Sequence, residues 1–303
     1  MRAYIPYTIT DSMIVSSSVT EPASNEPVYS ATTTYAEGAQ VSVITANSHL
    51  VYESLVAGNL NNPVTDITKW ILKGNTNRWR MFDYNQGNPT VAPSPFTLVL
   101  RPGKRVDSLT LELKATTLEV NVNKGIGGPL VYTLDGFLQE RQATTLYEWL
   151  YTPFSYRRMV STSNIPPIPD PVLTITLTDP SGFVEISRLA IGQSTFLGNI
   201  QWEPIIDADN YSKIEWDQFG HATLTPIPSI PISEQKIVVE NNRLDIVRRF
   251  RDEVNGRAAV WSGLDDINGV FSESLIIFGV YRSYQLDLSN PAFSVLNLSL
   301  KGI

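Results

Sequence analysis

The chain has 303 residues, no cysteine, and a formal net charge of −7 from 23 basic and 30 acidic side chains. That length allows a sizeable core in two or three domains, and the absence of cysteine excludes disulfides and thiolate metal sites. The acidic balance argues against DNA or RNA as a partner, and no run of about 18 apolar residues is present for a membrane-spanning helix.

Charged residues make up only 17% of the chain, so its polar surface comes largely from Thr, Ser, Asn and Gln. Such a composition suits β proteins in general and also subunits packed against other subunits, because interface cores are depleted in charge. Met1 to Pro6 lacks the apolar stretch of a signal peptide. The expectation is synthesis in a cytoplasm and, for work outside a cell, release within a finished particle.

Residues 1–30 are mostly polar, with Ser16-Ser17-Ser18 and Pro22 to Pro27 reading as loop or extended arm. An arm of this kind either stays disordered or binds a neighbour. Residues 31–90 form a small aromatic-rich unit. Gln40 to Ile44 and Leu50 to Leu55 read as strands, and Gly58 to Pro63 as the loop before Trp70. Asn85 to Pro95 reads as a linker, which places a domain boundary near 90.

Residues 91–303 read as a β-sandwich or jelly-roll-like region. Phe96 to Leu100, Ser108 to Ala115 and Thr117 to Val122 are expected strands. In Val172 to Thr178, Leu173, Ile175 and Leu177 alternate with threonines, which puts the apolar set on one face. Gly125 to Pro129 and Asp179 to Gly182 supply turns. The proline-rich run Ile165 to Pro171 cannot be an interior strand, because each proline removes a ladder donor. One amphipathic helix is expected near 241–255. Asn241 or Asn242 would cap it, Leu244, Val247, Phe250 and Val254 would face the core, and Gly256 would close it. Leu275 to Tyr281 and Ser294 to Leu300 return to strand. The fold class is therefore mainly β.

Residues for catalysis are sparse. The two histidines, His49 and His221, sit in no recognisable motif, and no G-x-S-x-G, H-E-x-x-H, G-x-G-x-x-G or P-loop pattern occurs. Asp265-Asp266, Asp207 with Asp209, and Glu148 offer carboxylates of the kind a glycosidase pairs, but any chain with this many acids supplies such pairs by chance. Asp207 to Ser212 begins like a calcium loop, yet Ser212 and Gln218 stand where an EF-hand needs Gly and Glu. No catalytic, cofactor-binding or metal-binding residue is assigned.

The ordered series Tyr35, Gly38, Val41, Tyr52, Asn59, Pro63, Trp70, Trp79 and Phe82 resembles small chitin-type carbohydrate-binding modules. That resemblance implies a glycan platform at Tyr52, Trp70 and Trp79, because flat aromatic faces stack on the apolar faces of sugar rings. The series departs from the pattern in having no adjacent aromatic pair. Tyr52 is followed by Glu53, and Trp79 is flanked by Arg78 and Arg80. The alternative is that these aromatics form the core of a tiny domain.

A second resemblance spans most of residues 31–303. The segment Trp70 to Asp83 is similar to one found in tail proteins of tailed bacteriophages. So is the C-terminal series Trp202, Pro204, Asp209 to Lys213, Asp217 to Gly220, a helix, and Trp261. It implies a non-enzymatic structural component of the virion tail, at the baseplate, tail tip or fibre attachment. The partners implied are other tail proteins and copies of itself, with a host surface glycan as a further partner. Residues 1–30 and 165–171 are the expected contact elements. A glycan-binding protein is the alternative. A polysaccharide-degrading enzyme ranks below both, since the repeats of a β-helix depolymerase are missing.

Overall fold

The computed structural model describes residues 1–303 except 84–86, 141–143, 265–272, 289 and 291. Among those residues the chain is mainly β, and every paired strand runs antiparallel to its neighbour. The main sheets are a five-stranded and a four-stranded one that make a sandwich, a small three-stranded sheet and an eight-stranded C-terminal sheet.

The alternation in the sequence builds the sandwich directly. In the five-stranded sheet, Pro171–Thr178 lies between Phe96–Leu100 and Thr117–Lys124. Its register stacks three apolar rows: Leu100, Leu173 and Val122; Leu98, Ile175 and Val120; Phe96, Leu177 and Leu118. All nine side chains are buried. They share one cluster with Leu109, Leu111, Val184 and Ile186 from the four-stranded sheet. That sheet holds Met159–Thr162, Ser108–Lys114, Phe183–Gly192 and Thr90–Pro93 in this order. Pro171 opens its strand, where the missing N–H is tolerated. Asp170 before it has φ +53° and pairs with Arg101 through two hydrogen bonds of 2.7 and 2.9 Å. The proline-rich segment thus closes the sandwich, with Ile165 buried in its core.

The C-terminal sheet carries a second core. Helix α1 (Leu146–Tyr151) belongs to the sandwich's periphery, while α2 (Leu244–Glu253) covers this sheet. Val247, Phe250 and Val254 pack with Trp261, Ile277 and Leu298, and Gly256 follows at φ +69°. The helical face read from the sequence is the one buried. The cap is not. A turn of 3-10 helix, Asn241–Arg243, leads into α2, and no side chain caps it. Asn241 instead accepts a hydrogen bond from the Ser294 hydroxyl at 2.8 Å.

The polar first thirty residues run across all three units. Arg2–Tyr4 pairs with Ala259–Ser262 and Thr195–Phe196 in the C-terminal sheet. Ile14–Ser17 forms an edge of the five-stranded sheet, and Val28 bridges to Ser42 of the small sheet. Tyr4 is buried where these units meet, and its hydroxyl donates to Thr110 at 2.8 Å. Burial raises its pKa well above the usual tyrosine value.

Candidate functional site

The three aromatics expected to hold sugar do not make one surface. Trp70 opens the third strand of the small sheet and is 2% exposed. Its indole N–H donates to the Asn62 carbonyl at 3.0 Å, and its ring meets Tyr29 and Tyr35 edge-on. Trp79 is 8% exposed and belongs to the sandwich core, a different cluster. Its ring stacks on His49 with centroids 4.2 Å apart, and its N–H donates to Glu21 at 3.2 Å. Only Tyr52 stays half-buried. Two buried tryptophans leave no flat face free for a sugar ring. The expected platform is corrected to two separate packing centres.

The charged groups around Trp79 hold units together. His49 Nδ1 lies 2.9 Å from Glu21 and Nε2 lies 2.8 Å from Asp11, so both ring nitrogens face carboxylates of the N-terminal segment. Glu21 also accepts from the Thr76 hydroxyl. Glu26, fully buried, pairs with Arg80 and accepts from the Asn77 N–H at 3.2 Å. Buried carboxylates persist only when paired in this way. A nearby cleft of about 400 Å³ is lined by Tyr7, His49, Asn75, Phe82, Arg188 and Phe278. Its Arg188 is buried over the Phe278 ring at 4.6 Å and donates to the Ile303 carbonyl. Glu112 lies 3.6 Å away, beyond a direct hydrogen bond. Burial, more than this pairing, pushes the Glu112 pKa up and the Arg188 pKa down.

The remaining chemical candidates also have structural partners. Asp209 takes Lys301 at 2.6 Å, and that contact holds its carboxyl below the usual range. Asp207 accepts from the N–H of Ala208. Glu148 closes a capping box with Thr145 at the start of α1, and hydrogen bonds from Thr144 are the chief cause of its lowered pKa. Asp265 and Asp266 lie outside the described residues. Among the described residues, no group of three or more His, Asp or Glu side chains is placed to hold a metal ion, and no helix is long and apolar enough to cross a membrane.

Two protrusions stand out from this packed frame. The first is a two-stranded hairpin, Lys213–Trp216 with Ala222–Thr225. Asp217 organises its turn. The Asp217 carboxylate accepts from the Phe219 and His221 N–H groups at 2.8 Å and contacts the His221 ring at 2.9 Å, while Gly220 supplies the left-handed φ of +80°. Its register pairs Ile214 with Leu224 and Trp216 with Ala222 on one face, leaving Lys213, Glu215, Thr223 and Thr225 on the other. Every residue from Lys213 to Ser229 is exposed.

The second protrusion is the excursion between sandwich strands Leu130–Phe137 and Met159–Thr162. A short ladder of Gln139–Glu140 with Ser155–Tyr156 closes its base, and α1 forms its tip. Leu146, Tyr147, Trp149, Leu150 and Tyr151 are all exposed, and the Tyr147 and Tyr151 rings lie 4.8 Å apart.

No family model matches the chain, and no curated protein matches it.

The two protrusions were not assigned as sites from the sequence. Each had a local signal: Thr145-x-x-Glu148 before an apolar run for α1, and Ile214-x-Trp216 alternation ahead of Asp217 and Gly220 for the hairpin. A two-stranded hairpin is at best marginally stable alone in water, and α1 has no buried residue although five of its six side chains are apolar or aromatic. Exposed apolar surface of this extent marks a place where something else packs.

Proposed function

We propose that this chain is a non-catalytic structural subunit of a bacteriophage tail, made in the host cytoplasm and carried in the virion. The observation that supports this reading best is the pair of exposed apolar protrusions on an otherwise close-packed β frame. An enzyme's working surface is concave, with convergent polar groups. Here His49 and His221 are engaged in holding turns and units together, while the hairpin and the α1 excursion present exposed apolar side chains. That is the layout of a part that joins neighbours. The similarity of Trp70 to Asp83, and of the C-terminal series, to tail proteins supplies the kind of assembly.

The N-terminal segment and the proline-rich segment, first read as contact elements, have intramolecular partners. The joining role therefore passes to the hairpin and the α1 excursion. Glycan binding, the other reading considered, loses its platform with Trp70 and Trp79 buried.

The test is localisation. Purified particles are labelled with gold-coupled antibody to this chain and their proteins identified by mass spectrometry. Label at the tail end, with peptides of the chain in the washed particle, is the expected result. Particles without the chain, from a lysate that contains it, would overturn the proposal.

A further inference from the structure

We propose that residues 27–75 form a module that swings as one body on the rest of the chain, with His49 as the pin of a polar latch that holds it closed. The swing rests on packing alone, so it stands apart from the tail assignment.

The module has a core of its own. Tyr35, Val41 and Trp70 form it, with Tyr29, Tyr52 and Val64 packed round them. None of the six belongs to the core of the sandwich or of the C-terminal sheet. Its three strands, Gln40–Thr45, Ser48–Ser54 and Trp70–Asn75, pair with one another and with no strand of another sheet among the described residues. The chain enters and leaves the module at adjoining points. Glu26, just before it, pairs with Arg80 and accepts from the Asn77 N–H, just after it, at 3.2 Å. Beyond Arg80, Met81 is buried in the sandwich core. Pro27 and Tyr29 already belong to the module, through backbone hydrogen bonds with Ser42 of 2.8 and 2.9 Å. The two crossings, Glu26 to Pro27 and Asn75 to Asn77, therefore lie together, as the two strands of a hinge must.

The seam between module and frame is polar. Asp11 and Asn47 exchange two hydrogen bonds, of 3.0 and 2.8 Å. His49 sits between Asp11 and Glu21, at 2.8 and 2.9 Å, and both carboxylates stand on a segment anchored in the sandwich core by Ile9 and Val19. Thr76 donates its N–H to the His49 carbonyl at 2.8 Å and its hydroxyl to Glu21. Trp79, from the frame, adds the ring stack on His49. Two clefts open along this seam. One, of about 400 Å³, lies between Leu50 of the module and Tyr7 and Phe278 of the frame, and the other, of about 300 Å³, between Lys73 and Asn88. A sealed interior would be filled by side chains. Opening the seam hands its polar groups to water, which replaces their partners, and leaves both apolar cores covered. Unfolding either core would expose its apolar rows, so the swing is the less costly opening.

The chain has no cysteine, so a single introduced thiol reports opening at its own position. Thr76→Cys and Val51→Cys place thiols at the seam, where both residues are 1% exposed. Val41→Cys in the module core and Ala115→Cys in the sandwich core are the controls. Each full-length variant is checked by thermal melt and reacted with a disulfide reagent, DTNB, in native buffer. The seam thiols are expected to react at least about tenfold faster than both core thiols. At saturating reagent the two seam thiols should share one rate, that of the swing. Glu21→Gln, added to each variant, removes a charged partner of His49 and should speed both seam thiols about tenfold, with the two core rates unchanged. A Val41→Cys thiol as fast as those at the seam would mean that the module unfolds instead of swinging, and would overturn the proposal. Seam thiols as slow as that of Ala115→Cys would overturn it too, since module and sandwich would then open only together. Two unequal seam rates would reduce the opening to local fraying, and rates unmoved by Glu21→Gln would remove the latch. If Thr76→Cys melts early, Val51→Cys against the two controls decides by itself.

Discussion

Replacing Trp79 with alanine separates a packing role from a sugar-binding role. With 8% of the residue exposed, about 200 Å² of its surface is withdrawn from water on folding. At about 25 cal/mol per Å², that amounts to about 5 kcal/mol as an upper estimate. Truncations of buried tryptophan typically cost about 3–5 kcal/mol. The stack on His49 is lost with the ring, and Glu21 loses one donor but keeps Thr76 and His49. A destabilisation of about 4 kcal/mol follows. At about 2 °C per kcal/mol for a chain of this size, the melting temperature should fall by about 8 °C. Trp79→Phe keeps most of the packing and gives up only the N–H bond to Glu21, a loss of about 2 kcal/mol. Differential scanning calorimetry of the full chain reads both, with circular dichroism as a second probe. A Trp79→Ala protein melting within about 2 °C of wild type would refute the buried-anchor reasoning and return Trp79 to the surface.

Three further outcomes follow from other parts of the frame. Ile175→Ala, in the middle row between Leu98 and Val120, should cost about 3 kcal/mol in urea unfolding, and a cost below about 1 kcal/mol would show that the row is not closely packed. Arg101 holds the Asp170 carboxyl below its usual value. A carboxyl lowered in the folded state adds stability above the ordinary aspartate range and loses it as pH falls through the folded value. Arg101→Gln should therefore flatten the acid limb of the stability curve and raise the Asp170 midpoint in an NMR titration, and an unmoved midpoint would count against the pairing. Chymotrypsin should cut first near Tyr147 to Tyr151 and Trp216 to Phe219, which are exposed, and first cuts inside the sandwich strands would contradict this surface map.

The fold class was legible because strand alternation is local. Leu173, Ile175 and Leu177 point one way whatever their partners are, and the structure adds only which rows they join. The core face of α2 was legible for the same reason at helical spacing. Its cap was not, since an asparagine at a helix start is free to bond elsewhere, and Asn241 is tied to Ser294 from 53 positions away. The aromatic series misled because aromatic content is equally compatible with a core and a platform. The carboxylates that tie this region to the N-terminal segment, Glu21 on Trp79 and Glu26 on Arg80, lie more than fifty residues away in sequence. The hairpin and the α1 tip had local signals of their own, but nothing in a local pattern says that an apolar face will be left uncovered.

The antiparallel pairing of Arg2–Tyr4 with Ala259–Ser262 has a consequence for biosynthesis. Its two strands are about 260 residues apart in the chain. At roughly 5–20 residues per second, the first strand leaves the ribosome tens of seconds before its partner exists. The sandwich, whose strands lie between residues 14 and 192, can fold in that interval, whereas the C-terminal sheet cannot close until translation is nearly over. During the wait, the side of Arg2–Tyr4 that later meets Ala259–Ser262 is an open edge on a nascent chain, even once Thr195–Phe196 has been made for its other side. Slowed elongation late in the message should therefore lengthen the time over which the growing chain can pair with the wrong strand.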